Sequence, residues 1–539
     1  MNYKYNIFGR IIFLMFINIL FMVFLAFSIF RISNNKNLEE ISNQKNFCKL
    51  KIKSPRGMIY DCHGIPLIQN KKKLLASIIP NKINFIDLIN ATPEDKKKEF
   101  MKKYCEGVPF VSEVSKNIMK PGVQIFEVLD QVFDSSFACH TIGYLKENHG
   151  ICGIEKSFDN LLSDIDDIEI EYQQNAMGQI ITERNYDFNY KSYINSQGVQ
   201  LCLDKRIQDI AEEVSKKYIS KGALVITEIP DCKIRASVSM PNFVPNLVRF
   251  LINSKNSDLI NRVNCQYNLG SIFKLATAAY LLESGLISEN EFYNCKGSFE
   301  FEDGTQIHCF HGIAHGEISL EKAISLSCNS MFAKFSHKIN PKLFIEFVKS
   351  LGFGKEINLA PEMISKAGNL PSLYDLEDEK KMAMFSFGQE SLLVTPLQVA
   401  SLINTIACGG LYYYPRLVEG TIDKEGKFNN YNISLPKRVL KSSTSMKLKK
   451  FMRSCIISGT GKYGNPKNIE SGAKTSTAET GIFVDGKRVD QSWFAGFFPF
   501  ENPKYCIVVL SENANPEEKV CGLVFKEIVE RISDLDNKI

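Results

Sequence analysis

A serine and a lysine three residues apart, Ser271 and Lys274, form the pair in this sequence best suited to acyl transfer. The residues from Ser271 onward have a strong helical pattern, and Gly285 stands where glycine commonly ends a helix. Helical residues three apart share one face, with Cβ atoms about 5–6 Å apart. A serine is a weak nucleophile until a base takes its proton. Lys274 can be that base only if burial or a nearby positive charge lowers its pKa.

Two later segments give this short and otherwise weak motif its significance. Ser327-Cys328-Asn329 opens an apolar segment predicted to be helical. Lys474-Thr475-Ser476-Thr477 lies in a run of small, strand-compatible residues. Serine enzymes that act on β-lactams and acyl-D-alanyl peptides carry Ser-x-x-Lys, a Ser-x-Asn-type triplet and Lys-Thr-Gly. The three elements occur here in that order, which favours one shared catalytic groove over three separate coincidences.

With these motifs the chain resembles class B penicillin-binding proteins, the monofunctional D,D-transpeptidases of bacterial cell-wall synthesis. The resemblance covers nearly the whole chain and extends to four further regions: 56–61 with Gly64, 143–144 with 153–156, 387–389 with 395–400, and 493–497. The first two regions resemble the N-terminal pedestal domain of that family, and the last two resemble its transpeptidase domain.

The resemblance implies a role for each motif residue. Ser271 would attack the carbonyl between two D-alanines of a peptidoglycan stem peptide, with Lys274 as base, and β-lactams would acylate the same serine. Ser327 and Asn329 would flank the cleft, and Lys474 would meet the substrate carboxylate and depress the pKa of Lys274. The expected substrate-binding residues on the Lys474 strand are Thr475, Ser476 and Thr477. No metal or organic cofactor is needed for this chemistry.

Two departures from the family pattern deserve mention. Ser476 replaces a glycine that lets the strand pack closely behind the site, and Leu269 replaces a common proline. Serine is small enough that we expect activity to be retained, with an altered sensitivity to β-lactams.

A group of cysteines and histidines lies between the first two motifs: Cys295, His308, Cys309, His311 and His315. Three interpretations stay open at this stage. A zinc site lacks a standard ligand spacing, and a disulfide between Cys295 and Cys309 would close a short loop. Reduced thiols beside the active site are the favoured interpretation.

The surrounding pattern predicts the elements that position these residues. Strands are predicted at 199–203, 223–229, 234–238, 493–498 and 505–510, with helices from Asp204 to Lys217 and from Val520 to Ile532. Strands at both ends of a helical middle indicate an α+β domain whose sheet joins distant segments. The resemblance implies a serine β-lactamase-like fold, with an antiparallel sheet flanked by helices and an all-helical subdomain. We expect a mixed α/β pedestal over 31–195 and the transpeptidase domain over 196–539, with the boundary in the polar stretch 189–198.

Residues 11–30 form an apolar stretch long enough to cross a membrane as a helix. A cleaved signal peptide is the alternative, with Ala26-Phe27-Ser28 as its cleavage site, but the stretch exceeds the usual apolar region of about 7–15 residues. Basic residues flank it on both sides, so the positive-inside rule does not decide its orientation. We expect a retained single-pass anchor, with residues 1–10 cytoplasmic and the catalytic domain outside a bacterial cell membrane.

Composition and domain length limit the remaining functions. The 539 residues are 44% hydrophobic and 23% charged, as in globular proteins, and the net charge of +5 is dispersed, which gives no support for nucleic-acid binding. The region 33–193 is short for a glycan-polymerising domain, so we expect a membrane glycosyltransferase as partner and a lipid-linked precursor as substrate. A β-lactamase, a β-lactam sensor and a non-catalytic scaffold of the wall-synthesis complex are the alternatives.

Overall fold

The computed structural model describes residues 3–34, 47–53, 56–132, 135–165, 167–174, 180–183, 197–252, 254, 256–431, 434–484, 487–514 and 519–537. Its contacts divide the chain into two units. The first comprises 1–55, 70–130 and 166–194, and the second comprises 56–69, 131–165 and 195–539. The expected boundary at 195/196 and most of the expected tether, 33–46, lie outside the described residues.

The first unit contains two small antiparallel sheets. One has the strand order Phe47–Lys53, Ile168–Gln174, Ile180–Glu183, and the other has the order Phe110–Val114, Gln69–Ile78, Val123–Val132. Helices Phe85–Ala91 and Lys97–Glu106 pack on the second sheet through an apolar core that includes Leu88, Phe100 and Phe110.

A helix at Tyr3–Ser33 contains the predicted anchor. Its segment Phe8–Ser33 is long and apolar enough to cross a membrane, and its large apolar side chains are exposed. Exposure of a continuous apolar surface in water is unfavourable, so a lipid environment suits this helix.

The second unit is organised around a five-stranded antiparallel sheet. We label its strands β1 (Gly222–Glu228), β2 (Lys233–Met240), β3 (Gly472–Val484), β4 (Lys487–Phe498) and β5 (Tyr505–Ala514). Their order across the sheet is β2-β1-β5-β4-β3. The sheet therefore pairs β1, near the start of this domain, with β5, near its end, as the α+β pattern predicted.

Alternation along the strands gives the sheet two apolar faces. On β1, Leu224 and Ile226 belong to a core formed with helices Lys205–Tyr218 and Val520–Asp536, whereas Ala223 and Val225 face the larger core. Helix Pro396–Ala407 contributes to that larger core. The sheet is thus covered by helices on both faces, which confirms the predicted fold class.

The second unit also contains further helices, a four-stranded sheet and several two-stranded pairs. The other helices of eight or more residues are Lys274–Glu283, Asn329–Ser336, Pro341–Ser350, Glu379–Ser386 and Ser442–Ser458. The shorter ones are Cys139–Ile142, Gly153–Ser157, Asp159–Ser163, Val248–Leu251 and Leu320–Ser325. A four-stranded sheet has the order Met58–Tyr60, Gly198–Leu201, Val418–Ile422, Phe428–Asn430. Two-stranded pairs are Phe292–Cys295 with Gly316–Ser319, Ser298–Glu300 with Gln306–His308, Tyr267–Asn268 with Leu393–Val394, Ile357–Ala360 with Met363–Ser365, Leu411–Tyr412 with Lys437–Arg438, and Leu145–Lys146 with His149–Gly150.

Two segments expected in the pedestal, 56–69 and 131–165, belong to the second unit. Strand Met58–Tyr60 pairs in parallel with Gly198–Leu201, which gives the first of them hydrogen bonds inside this unit. Arg56 then joins the two segments, because its guanidinium binds the Glu155 and Asp159 carboxylates at 2.7 Å each. The sequence analysis expected one continuous domain over 31–195. In the structure, contacts with distant residues place 56–69 and 131–165 in the second unit.

Candidate active site

Ser271 lies in a short 3₁₀ turn, Gly270–Phe273, and the α-helix begins only at Lys274. The sequence predicted an α-helix from Ser271 onward. In a 3₁₀ turn, side chains three residues apart are eclipsed, so the tighter turn aligns the serine directly with the lysine. Oγ of Ser271 and Nζ of Lys274 are 2.9 Å apart.

The segment before Ser271 is anchored at several points. The Trp493 indole N–H donates to the carbonyl of Asn268 at 2.9 Å, and the N–H of Gly270 donates to the carbonyl of Gly388 at 2.9 Å. Gly270 has φ +65°, and a Cβ there would lie 2.5 Å from Oγ of Ser476. A Cβ at Gly388 would lie 2.0 Å from the carbonyl oxygen of Gly270. Glycine is therefore required on both sides of this contact.

Lys274 is completely buried, and its Nζ is surrounded by oxygen atoms of the triplet. It lies 3.0 Å from the carbonyl oxygen of Ser327, 3.2 Å from Oγ of Ser327 and 2.7 Å from Oδ1 of Asn329. The Asn329 amide is oriented by the hydrogen bond that its Nδ2 donates to the carbonyl of His308 at 3.0 Å. The first two sequence motifs therefore meet at one amine.

Ser327 has φ +59°, in the left-handed region that non-glycine residues rarely adopt. Such strained residues are concentrated at functional sites. The following helix begins at Asn329, and its N-cap is Cys328, whose Sγ accepts from the N–H of Met331. Ser327 thus precedes the cap, and its side chain is left for the groove.

Lys474 reaches the same serine from strand β3. Its Nζ donates to Oγ of Ser327 at 3.1 Å and to the carbonyl of Thr475 at 3.0 Å, and its side chain is completely buried. Ser327 therefore connects the two lysines, and the third motif joins the first two.

Burial and mutual repulsion determine the electrostatics of the two amines. Burial lowers the pKa of Lys274 well below its ordinary value, and the positive charge of Lys474 lowers it further. Burial also lowers the pKa of Lys474. Among the residues that the structure describes, no carboxylate lies within hydrogen-bonding distance of either Nζ to oppose this effect.

The remaining residues of β3 differ in their surroundings. Thr475 is partly exposed, and its hydroxyl lies 2.6 Å from that of Thr460. Thr477 is partly exposed as well. Ser476 is buried and donates its hydroxyl to the carbonyl of Leu269 at 2.6 Å. The hydroxyl of Ser476 is therefore engaged with the segment before Ser271, whereas the two threonines are partly open to solvent.

The sequence analysis missed two contributors to the site. Thr460 precedes β3 in a Ser-Gly-Thr-Gly segment, whose small residues were the available signal. Cys328 was overlooked as a member of the cysteine group, although it stands inside the Ser-x-Asn triplet. Its Sγ is 3.7 Å from Sγ of Cys309, and Cys295 and Cys309 are also 3.7 Å apart, without a disulfide bond.

Comparison with known proteins identifies the family of this chain. Residues 222–533 match the family model described as "Penicillin binding protein transpeptidase domain". That match exceeds half of the chain, and the chain belongs to this family. The resemblance to class B penicillin-binding proteins is thereby confirmed.

Two named relatives align with most of this chain and with most of their own length. The "Peptidoglycan D,D-transpeptidase FtsI" of Buchnera aphidicola is 26% identical over an alignment of 570 positions, which covers 96% of this chain and 95% of that protein. The "Peptidoglycan D,D-transpeptidase MrdA" of Acinetobacter baumannii is 24% identical, with 88% and 80% covered.

A solved structure shares the fold. The penicillin-binding protein in the Helicobacter pylori complex of PBP2 with MreC superposes with a TM-score of 0.67 at 20% identity, covering 91% of this chain and 99% of that one. At this identity the likeness concerns the fold alone.

Proposed function

We propose that this protein is a peptidoglycan D,D-transpeptidase that cross-links stem peptides through an acyl-enzyme on Ser271. The observation that carries the proposal is the position of one buried amine, Nζ of Lys274, within 3.2 Å of Ser271, Ser327 and Asn329. The family membership and the names of the relatives support the same reaction.

Lys274 is the general base of the acylation step. With its pKa lowered by burial and by Lys474, the neutral amine accepts the Ser271 hydroxyl proton across 2.9 Å. The freed Oγ forms a bond to the carbonyl carbon of the penultimate D-alanine. A positioned base of this kind contributes about 10²–10⁴-fold to the rate.

Strand β3 binds and orients the substrate. Lys474 and the hydroxyls of Thr475 and Thr477 receive the terminal carboxylate of the donor peptide. The backbone N–H groups of Ser271 and Thr477 stabilise the oxyanion, a contribution of about 3–4 kcal/mol per donor. Ser476 acts indirectly, because its hydroxyl holds β3 against the carbonyl of Leu269.

The Ser327 hydroxyl relays the proton that the departing D-alanine needs. As the peptide C–N bond breaks, the terminal D-alanine nitrogen takes a proton relayed by Ser327 from the Lys274 ammonium, which restores the neutral base. The amine of a neighbouring stem peptide then attacks the acyl carbonyl carbon and loses a proton through Ser327 to Lys274. The ester bond to Oγ of Ser271 breaks as the new peptide bond forms, and Oγ takes that proton from Lys274, which restores the free serine and the neutral amine.

The N-terminal helix supplies the membrane attachment of this reaction. We place residues 1–10 in the cytoplasm and the second unit outside the membrane of a bacterial cell, where peptidoglycan is made. A membrane glycosyltransferase that polymerises the lipid-linked precursor would be the partner, because the region 33–193 is short for a glycan-polymerising domain.

Mass spectrometry after incubation with penicillin tests the assignment directly. We expect one covalent adduct per chain on Ser271, stable enough to isolate. Rapid release of hydrolysed penicillin would identify a β-lactamase, a stable adduct with no cross-linking of lipid-linked precursor would favour a sensor, and complete failure to label would indicate a scaffold. Ser271→Ala, which should abolish the adduct, is the control for its position.

A further inference from the structure

Four potential metal ligands converge behind the Ser-x-Asn triplet, and the proposed reaction does not use them. They are Cys295, Cys309, His315 and Cys328, and their ligand atoms all lie within 4.8 Å of one another. The three cysteines are buried, and the histidine is partly exposed. Cys295 ends strand Phe292–Cys295, Cys309 and His315 lie between strands Gln306–His308 and Gly316–Ser319, and Cys328 is the N-cap of helix Asn329–Ser336.

The spacing of these atoms matches a tetrahedral site. Sγ of Cys309 is 3.7 Å from both Cys295 and Cys328, and Nδ1 of His315 is 3.3 Å from Sγ of Cys295. A tetrahedron with metal–sulfur bonds of about 2.3 Å and a metal–nitrogen bond of about 2.0 Å has edges of about 3.8 Å and 3.6 Å. In a disulfide the two sulfur atoms are about 2.05 Å apart. Sγ of Cys309 is instead equally far, 3.7 Å, from the sulfur atoms of both Cys295 and Cys328.

We propose that Cys295, Cys309, Cys328 and His315 bind a structural zinc ion. Three cysteines and one histidine are a common closed set of zinc ligands, which leaves no position for substrate. Thiolate donors in tetrahedral array favour zinc over magnesium or calcium. Binding displaces the thiol protons to solvent, so no oxidant or reductant is involved.

The surroundings of the cluster suit thiolates. The Ser330 hydroxyl lies 3.1 Å from Sγ of Cys295 and 3.4 Å from Sγ of Cys328. The N–H of Met331 donates to Sγ of Cys328 at 3.4 Å. Such outer hydrogen bonds orient metal ligands and stabilise their charge.

The location of Cys328 connects the metal to the groove, and this part of the inference rests on the proposed function. Cys328 stands between Ser327 and Asn329, both of which contact Nζ of Lys274. A zinc–sulfur bond to Cys328 would hold the strained Ser327 backbone, and the bond to Cys309 would hold the turn whose His308 carbonyl orients Asn329. The zinc is therefore inferred to position the triplet without taking part in the reaction.

Elemental analysis of the purified full-length chain in detergent, produced with zinc in the medium, is the decisive experiment. We expect about one zinc ion per chain, and near-complete loss in both Cys309→Ser and His315→Ala. Cys521→Ser, which alters a buried cysteine elsewhere in the second unit, is the matched control and should retain zinc. Absence of zinc, iron in its place, retention of zinc in the ligand variants, or a Cys295–Cys309 disulfide in the zinc-supplied protein would overturn the proposal.

Cobalt replacement gives a readout that does not depend on activity or on the folding of a variant. Cobalt bound in place of zinc should produce the visible absorption of tetrahedral thiolate coordination, and its absence would contradict the ligand set. The link to the groove is tested by the rate of penicillin acylation before and after chelation of the metal. We expect this rate to fall at least tenfold on chelation and to recover when zinc is added back. Unchanged acylation of zinc-free protein would refute that link, whereas a zinc-loaded protein that never reacts would refute the proposed function and leave the metal site standing.

Discussion

Two groups of buried cations in the second unit have opposite surroundings. Arg56 is enclosed by carboxylates, with Nε 2.7 Å from Oε2 of Glu155 and Nη2 2.7 Å from Oδ1 of Asp159. Lys274 and Lys474 are buried even more completely, but the atoms around them are hydroxyl, carbonyl and amide oxygens. Both groups are built from motifs that the sequence analysis singled out.

The difference separates structural charges from chemical ones. A buried charge that is paired with carboxylates keeps its proton, and removing its partner is costly. A buried lysine that faces neutral oxygens and another lysine loses its proton more readily. The arginine cluster therefore joins two chain segments, whereas the surroundings of the lysine pair suit the base of the proposed reaction. Substitutions in the first should change stability and those in the second should change reactivity.

The largest expected effect is on acylation by Lys274→Met. This change removes the base but keeps an unbranched buried side chain, so we expect the acylation rate with a fluorescent penicillin to fall about 10²–10⁴-fold. Lys342→Met, at an exposed position of helix Pro341–Ser350, is the control. Normal labelling of Lys274→Met would show that the base lies elsewhere.

The next effect concerns pH. Acylation requires neutral Lys274, so its rate should rise with pH through the lowered pKa of this lysine. Lys474→Met removes a charge that lowers this pKa, and the rise should then occur at higher pH. Loss of the carboxylate contact should also reduce the rate about 10- to 100-fold. An unchanged midpoint of the pH profile in Lys474→Met would show that Lys474 does not influence the pKa of Lys274.

On the structural side of the comparison, Arg56→Met should lower the free energy of unfolding by about 3–5 kcal/mol, because it leaves Glu155 buried and unpaired. Lys156→Met removes an exposed ion pair with Glu362 (2.9 Å) and should change stability by less than about 1 kcal/mol. Urea titration gives both values. Acylation of the folded Arg56 variant should be normal, and a specific loss of reactivity would break the distinction.

The smallest effect is expected for Ser476→Gly. It removes the hydrogen bond to the carbonyl of Leu269, worth about 1 kcal/mol, and restores the usual residue of the family. We expect less than a tenfold change in acylation. Ser476→Ala, which keeps the Cβ, separates the hydroxyl from the packing, and a larger loss in both would indicate a direct contact with substrate.

Local pattern predicted much of the fold. The hairpin of β1 and β2, the strands β4 and β5, and the helix after Asp204 all occur where alternation and capping indicated. The Asp204 side chain accepts the N–H of Arg206 as predicted. These features depend on neighbours a few residues away, and the sequence displays such neighbours directly. The pedestal domain over 31–195 stays a prediction, and the pairing of a three-residue strand at 58–60 with one at 198–201 is a long-range contact that local pattern does not display.

The sequence by itself determined that Ser271 and Lys274 lie side by side, since a spacing of three residues in a helical turn brings two side chains together. Only the tertiary structure decided that Ser327 and Lys474, 147 residues apart, share a hydrogen bond of 3.1 Å. It also decided that Cys328 lies beside Cys309, which in turn lies beside Cys295, a grouping that no spacing rule revealed. Distant residues meet through the packing of a whole sheet and its helices, and that packing depends on many weak contacts that no short motif contains.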